Sequence, residues 1–198
     1  MVARFAAAAF ALGLIAAGPA EASDTEQRFA VRGIGSSTCT EFAAKVDSNA
    51  PDLVVYVAWA DGALSAANRY RENVFEVAPF LDPPGVFANL VLNLCRANPQ
   101  ALFDTAVTQT IEVLKPVWVT TGQDLATVTS ANGSVRIYPE TLKAVQAKLI
   151  AGGFLEGEAD GAFGAMTEAA LAAFQASKGR PQTGLPDADT VIALLLAN

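Results

Sequence analysis

The 198-residue sequence predicts an all-α chain, with a four-helix N-terminal domain tied by a disulfide and a smaller three-helix module at the C-terminus. Three observations carry this expectation. Apolar residues recur three and four apart in seven separate segments, the spacing that gathers side chains on one helix face. That period stops between residues 117 and 133, where Thr, Ser, Asn and Gly dominate, so this stretch reads as a linker with at most a short extended piece. The chain also holds only two cysteines, Cys39 and Cys95, in the first and third predicted helices.

The start of the chain, MVARFAAAAFALGLIAAGPAEA, has the layout of an export signal. Arg4 and the amino terminus supply positive charge, Phe5 to Ala17 an apolar run, and Ala20-Glu21-Ala22 a small-x-small cleavage pattern. Residues 1–22 are therefore expected to be a secretory signal peptide cut after Ala22. The run is short for a membrane span, so no stable membrane insertion is expected after cleavage; a retained anchor is the rival reading. Export places the rest in the periplasm, an oxidising compartment where Cys39 and Cys95 are most simply one disulfide. Closing that loop is worth about 4 kcal/mol in the chain-entropy account.

Composition removes whole classes of function. The formal charge is -7 and the 13 Lys and Arg residues are scattered, which argues against nucleic acid and anionic membrane surfaces as partners. The chain has no histidine. Ser-His-Asp and Cys-His catalysis and the usual His-containing zinc centres are excluded with it, and two cysteines are too few for a thiolate metal site. No catalytic residue, metal or cofactor is assigned.

The elements follow in order. In TCTEFAAKV (38–46), Thr38 and Glu41 have capping-box spacing, and Phe42 and Val46 share a face. PDLVVYVAWADGALSAANRYREN (51–73) starts with Pro51 in a first turn and places Leu53, Val57, Ala60 and Leu64 inward, with Gly62 allowing close approach of another helix. PPGVFANLVLNLCRANP (83–99) is bounded by prolines. QALFDTAVTQTIEVLKP (100–116) buries Phe103, Ala106, Val107, Thr110 and Leu114 and ends at Pro116. These segments define a domain over residues 36–116 and leave 117–133 as the linker. In the module over 134–198, PETLKAVQAKLIAGGF (139–154) turns Leu142, Val145 and Leu149 inward. MTEAALAAFQASKG (166–179) does the same with Met166, Ala170, Leu171 and Phe174, and DADTVIALLLAN (187–198) with Val191, Leu194 and Leu195.

The turn EGEADGAFGAMT between the first two of these helices invites a metal reading, because Glu156, Glu158 and Asp160 alternate. An EF-hand loop would need oxygen ligands at the following positions as well, and these are alanine and phenylalanine. Acids this close to a helix start are more often caps. The structural roles expected are a tight turn at Asp160-Gly161, an unusual backbone turn at Gly164, anchoring by Phe163 and Met166, and stabilisation of the helix entry by Thr167.

Gln146, Leu149, Phe154, Asp160-Gly161, Phe163-Gly164, Thr167, Ala170, Phe174-Gln175, Gly179, Thr183-Gly184 and Asp189-Thr190 together resemble the signature of the common peptidoglycan-binding domain, from about Ser134 to Leu196. The resemblance implies a three-helix module that binds the cell-wall polymer without cutting it. It also implies a shallow groove near the turns and the second-helix start, carried here by Phe154, Asp160, Phe163, Thr167 and Gln175. Arg180-Pro181 departs from the family's apolar pattern. Farther upstream, CTEF (39–42), YVAWADGALSAANRY (56–70) and LVLNLCRANPQALFDTAV (90–107) resemble small exported helical proteins with paired cysteines, the HdeA acid-stress chaperones and the Rap1a/Tai immunity proteins.

These readings lead to a non-catalytic periplasmic protein that holds peptidoglycan with its C-terminal module and another envelope protein with its N-terminal domain. The alternatives are a chaperone or inhibitor, and a glycosidase-type wall hydrolase. The hydrolase would need two carboxylates at a set separation, drawn from Glu41, Asp61, Glu72 and Glu76. Trp59 with Asn68, Arg69, Tyr70 and Arg71 offers either a polar-aromatic recognition patch or, for Trp59, a core position.

Overall fold

The computed structural model describes Glu26, residues 29–79 and residues 85–196. The expected signal peptide lies outside the described residues, as do Pro83 and Pro84 ahead of the third helix. The chain divides into two units, Met1–Val31 and Arg32–Asn198, and the helices and strands of the described residues belong to the second.

Among the described residues the N-terminal half holds four helices, α1 (Cys39–Asp47), α2 (Leu53–Tyr70), α3 (Val86–Ala97) and α4 (Phe103–Val113), with short 3-10 turns at Gly33–Ser36 and Lys115–Val117. The capping box that starts α1 is complete. Thr38 Oγ1 accepts from the Glu41 amide at 3.2 Å and Glu41 Oε2 accepts from the Thr38 amide at 2.7 Å. These bonds to Thr38 hold the Glu41 carboxyl below its ordinary pKa, because the ionised form is the better acceptor. All five residues expected on the inner face of α4 are buried, and Ile111 joins them.

Two expectations for α2 fail. Pro51 precedes the helix in a separate turn, with Asp52 at the N-cap. At Gly62 a Cβ would meet no atom within 4 Å, so the glycine makes no close helix contact. The inner face of α2 is carried by Tyr56 and Ala60, while Leu53, Val57 and Leu64 are half-buried.

The core of this half is aromatic. Phe103 sits 4.6 Å from Phe42 and 5.0 Å from Tyr56 between ring centroids, with Trp59 at 5.7 Å. Trp59 is half-buried and donates its Nε1–H to the Arg32 carbonyl at 3.0 Å. Gly35 makes room for it, since a Cβ there would lie 2.2 Å from the indole. Cys39 and Cys95 form the expected disulfide, with Cα atoms 4.7 Å apart, and join α1 to α3.

The chain is not all-α. Ala126–Ser130 (β1) and Gly133–Ile137 (β2) pair as an antiparallel hairpin, with Val128 opposite Val135 and Ala126 opposite Ile137. Val128 and Ile137 are buried while Thr127, Thr129 and Arg136 face outward. The period here is two rather than 3.6, and its apolar members are few enough to hide among Thr and Ser.

Three helices complete the chain, α5 (Pro139–Ala151), α6 (Ala165–Ser177) and α7 (Ala188–Leu195), with α5 packed on both others. Leu142, Val145 and Leu149 of α5 are buried as expected, and so are Ala170, Leu171, Phe174, Val191 and Leu194. Met166 is not. It is 72% exposed, because Thr167 takes the inward position at the start of α6.

Candidate ligand-binding site

The site grows out of a repeated arrangement. Gln146 of α5 is buried, and its Nε2 lies 2.9 Å from Asp160 Oδ1, 2.9 Å from the Ala162 carbonyl and 3.2 Å from Thr167 Oγ1. Its Oε1 accepts from the Gly161 amide at 2.7 Å. One helix later Gln175 does the same. Its Nε2 reaches Thr183 Oγ1, the Leu185 carbonyl and Thr190 Oγ1 at 2.9 to 3.0 Å, and its Oε1 accepts from the Gly184 amide at 2.9 Å. Each glutamine therefore ties the following loop and the start of the following helix to its own helix. The sequence repeats accordingly, with LKAVQA (142–147) matching LAAFQA (171–176) and DGAFGAMT (160–167) matching TGLPDADT (183–190).

The glycines in these loops are required by geometry. Gly161 has φ +77° and a Cβ there would lie 2.8 Å from the Pro139 carbonyl; Gly184 has φ +67° and would meet Glu168 at 2.8 Å. Side chains rarely adopt such φ values, and both positions face backbone or a packed side chain. Gly164 is different, at φ -146°. That is ordinary extended backbone, and the expected unusual turn belongs to Gly161.

The first of these loops shapes a groove of about 390 Å³ between the end of α5 and the start of α6, lined in part by Leu155, Asp160, Phe163, Met166 and Thr167, with Glu156 and Glu158 also on its wall. Asp160 Oδ1 accepts from the Ala162 amide at 2.8 Å as well as from Gln146. Those two contacts, the Ala162 amide first, hold the Asp160 carboxyl below its usual range. Phe163 is half-buried and Met166 exposed, so the groove offers apolar contact beside fixed acidic and backbone groups. That combination suits binding by hydrogen bonds and small apolar contacts.

Of the five residues expected to touch ligand, Asp160, Phe163 and Thr167 come together in this groove. Phe154 does not line it; its ring packs edge-on against Phe174 at 5.6 Å in a separate cavity. Gln175 is 0% exposed, with its amide engaged inside the module. Sequence reasoning placed Met166 in the core and so left it out of the groove. In AMTEAALAAF almost every position is small or apolar, and the helical period has little contrast to show which face points out.

Comparison with known proteins decides the family of this segment. Residues 139–194 match the family model described as "Putative peptidoglycan binding domain". The match spans α5, α6 and most of α7, together with both glutamine-braced loops. It supports peptidoglycan binding by this part of the chain and, with it, association with the cell envelope. No curated protein and no solved structure gives a significant match. Among the described residues no helix is long and apolar enough to cross a membrane.

Asn68 and Arg71, at the end of α2, are engaged elsewhere. Asn68 Oδ1 accepts from the Val77 amide at 2.8 Å, and Arg71 pairs with Glu112 while lying 5.1 Å over the Trp118 ring. Tyr70 is 77% exposed. These residues do not gather around Trp59, whose indole lies against Phe103 and Gly35.

Proposed function

We propose that this is a non-catalytic periplasmic protein whose peptidoglycan-binding domain docks the wall polymer in the groove at Asp160, Phe163, Met166 and Thr167. Its N-terminal disulfide-linked helical domain binds another envelope protein. The observation that carries the docking site is the groove itself, formed by the braced loop within the segment that matches the family and edged by an exposed methionine that folding does not require. Two of the four carboxylates named for a hydrolase are engaged locally, which favours the non-catalytic reading. Glu41 is held in the capping box, and Glu76 accepts from the Ala78 amide at 2.9 Å.

Sedimentation with purified peptidoglycan sacculi tests this. The full chain is expected to be retained. Met166→Glu, at an exposed position, should keep its melting temperature and lose retention by about tenfold, the equivalent of 1.4 kcal/mol. Equal retention of the two proteins would place docking elsewhere. Soluble muropeptides released from the same sacculi would end the non-catalytic reading.

A further inference from the structure

We propose a second ligand subsite on the peptidoglycan-binding domain, one that takes a carboxylate over an aromatic pair. It lies where the ends of α5, α6 and α7 meet, in a cavity of about 370 Å³ lined by Lys148, Gly152, Phe154, Phe174, Lys178 and Leu194 among others. Phe154 and Phe174 meet at 90° between ring planes and form an apolar wall. Gly152 seats that wall, since a Cβ there would press on the Phe154 ring at 3.1 Å.

The charge is concentrated here. Lys148 and Lys178 are two of the four basic residues between Pro139 and Leu196, a stretch with seven acids. Among the described residues no carboxylate lines the cavity. Among the described residues neither lysine is in an ion pair; Lys178 Nζ instead lies 5.7 Å from the Phe174 ring centroid. Both stand at helix C-termini, where the backbone favours a cation. The helix-end carbonyls do not need them, however. The Lys148 carbonyl accepts from Gly152, that of Phe174 from Lys178 and Ser177, and that of Gln175 from Arg180. Lys178 thus holds its ammonium against the apolar wall, and Lys148 lines the same cavity, with neither ammonium in an ion pair among the described residues. A carboxylate suits that arrangement by charge-assisted hydrogen bonds, and a small aliphatic group beside it would fill the space over the rings.

Phe154, which lines the cavity, and Leu155, which lines the groove, are consecutive in the chain. A polymer carrying carboxylates and methyl groups at short intervals could engage both. The peptide stems of peptidoglycan have that chemistry, and this choice of source rests on the proposed function above. The recognition of a carboxylate does not.

The test therefore uses a small probe and no sacculi. The full chain, labelled with 15N, is titrated with N-acetyl-D-alanyl-D-alanine and with its C-terminal amide. The free acid is expected to shift the amides of Gly152, Phe154 and Lys178, with a dissociation constant on the order of 1 mM. The amide, without the charge, should bind about tenfold more weakly. Lys148→Gln combined with Lys178→Gln changes two exposed side chains, so the spectrum elsewhere should stay native while the acid loses its advantage over the amide. Equal binding of acid and amide, shifts confined to Gly157 and Gly164 in the groove, or no shift on the order of 10 mM would each overturn the proposal. Unchanged sacculus retention in Met166→Glu would overturn the groove reading and leave this one untouched, so the two readings fail separately.

Discussion

Asp160 and Gln146 separate what a residue does for the fold from what it offers a ligand. The Gln146 amide has two N–H groups shared among three acceptors, so its loss would leave the Gly161 amide and the Ala162 carbonyl without their partner. Gln175 stands in the same relation to Gly184 and Leu185. The order of these residues was legible as a family signature, but the sequence could not show that Gln175 is a brace, because an amide with four internal contacts and one aimed at ligand have the same letter. Asp160 braces the loop and also lines the groove, and its ionisation gives a direct test of the first role. Its folded pKa is depressed, chiefly by the Ala162 amide and then by Gln146. A depressed carboxylate contributes stability that is present above the unfolded pKa, about 3.9, and is lost as pH falls through the folded value. Asp160→Asn keeps an acceptor oxygen and removes the ionisation. The melting temperature of the original protein should exceed that of Asp160→Asn at pH 7, and the difference should shrink below about pH 4. A difference that is the same at pH 7 and at pH 2.5 would assign Asp160 a purely geometric role.

At the scale of elements, the helices were legible where the buried face contrasts with the exposed one. In α4 and α5 large apolar residues alternate with Asp, Glu, Lys and Thr, and every residue expected inward is buried, with Ile111, Thr141 and Gln146 buried beside them. In α6 the contrast is weak and Met166 was turned the wrong way. The hairpin was illegible for a related reason. Only Val128, Val135 and Ile137 mark its inner face strongly, and its strands are five residues each, so the pattern looked like a polar linker. The disulfide was legible from the cysteine count and the expectation of export, and its two ends are 0% and 1% exposed. It closes a loop with a sequence separation of 56 residues, for which the chain-entropy account gives about 4 kcal/mol. Replacing both cysteines by alanine should therefore lower the free energy of unfolding by roughly 2–5 kcal/mol. Urea titration checks this. A change well under 1 kcal/mol would mean that the aromatic cluster around Phe103 already fixes α1 on α3 in the unlinked chain.

For the molecule as a whole, the segment read as a linker is bonded on both of its sides. Toward the helical domain, the Val119 amide donates to the Glu76 carbonyl at 3.0 Å, and the Phe75 amide donates to the Val119 carbonyl at 2.8 Å. Toward the peptidoglycan-binding domain, Glu140 in the first turn of α5 accepts from the Thr120 amide, Thr120 Oγ1 and Gln123 Nε2 at 2.9 to 3.1 Å. The Glu140 amide in turn donates to Gln123 Oε1 at 3.0 Å. Phe75 and Tyr138 add an edge-on ring contact at 6.0 Å. A stretch rich in Thr, Ser and Gly has no large apolar surface of its own, but its backbone donors can be ordered by one well-placed carboxylate. Glu140 is therefore expected to act as a clasp that makes the peptidoglycan-binding domain and the helical domain move together. Glu140→Ala removes the acceptor and leaves the cores of both parts intact. Hydrogen exchange at the Thr120 and Thr121 amides should rise by about tenfold. The rotational correlation times of residues 39–113 and 139–194, obtained from 15N relaxation, should diverge in the variant and agree in the original protein. If they agree in both, the ring contact and the Glu76–Val119 pairing suffice to couple the two parts, and Glu140 serves only the local order of the segment.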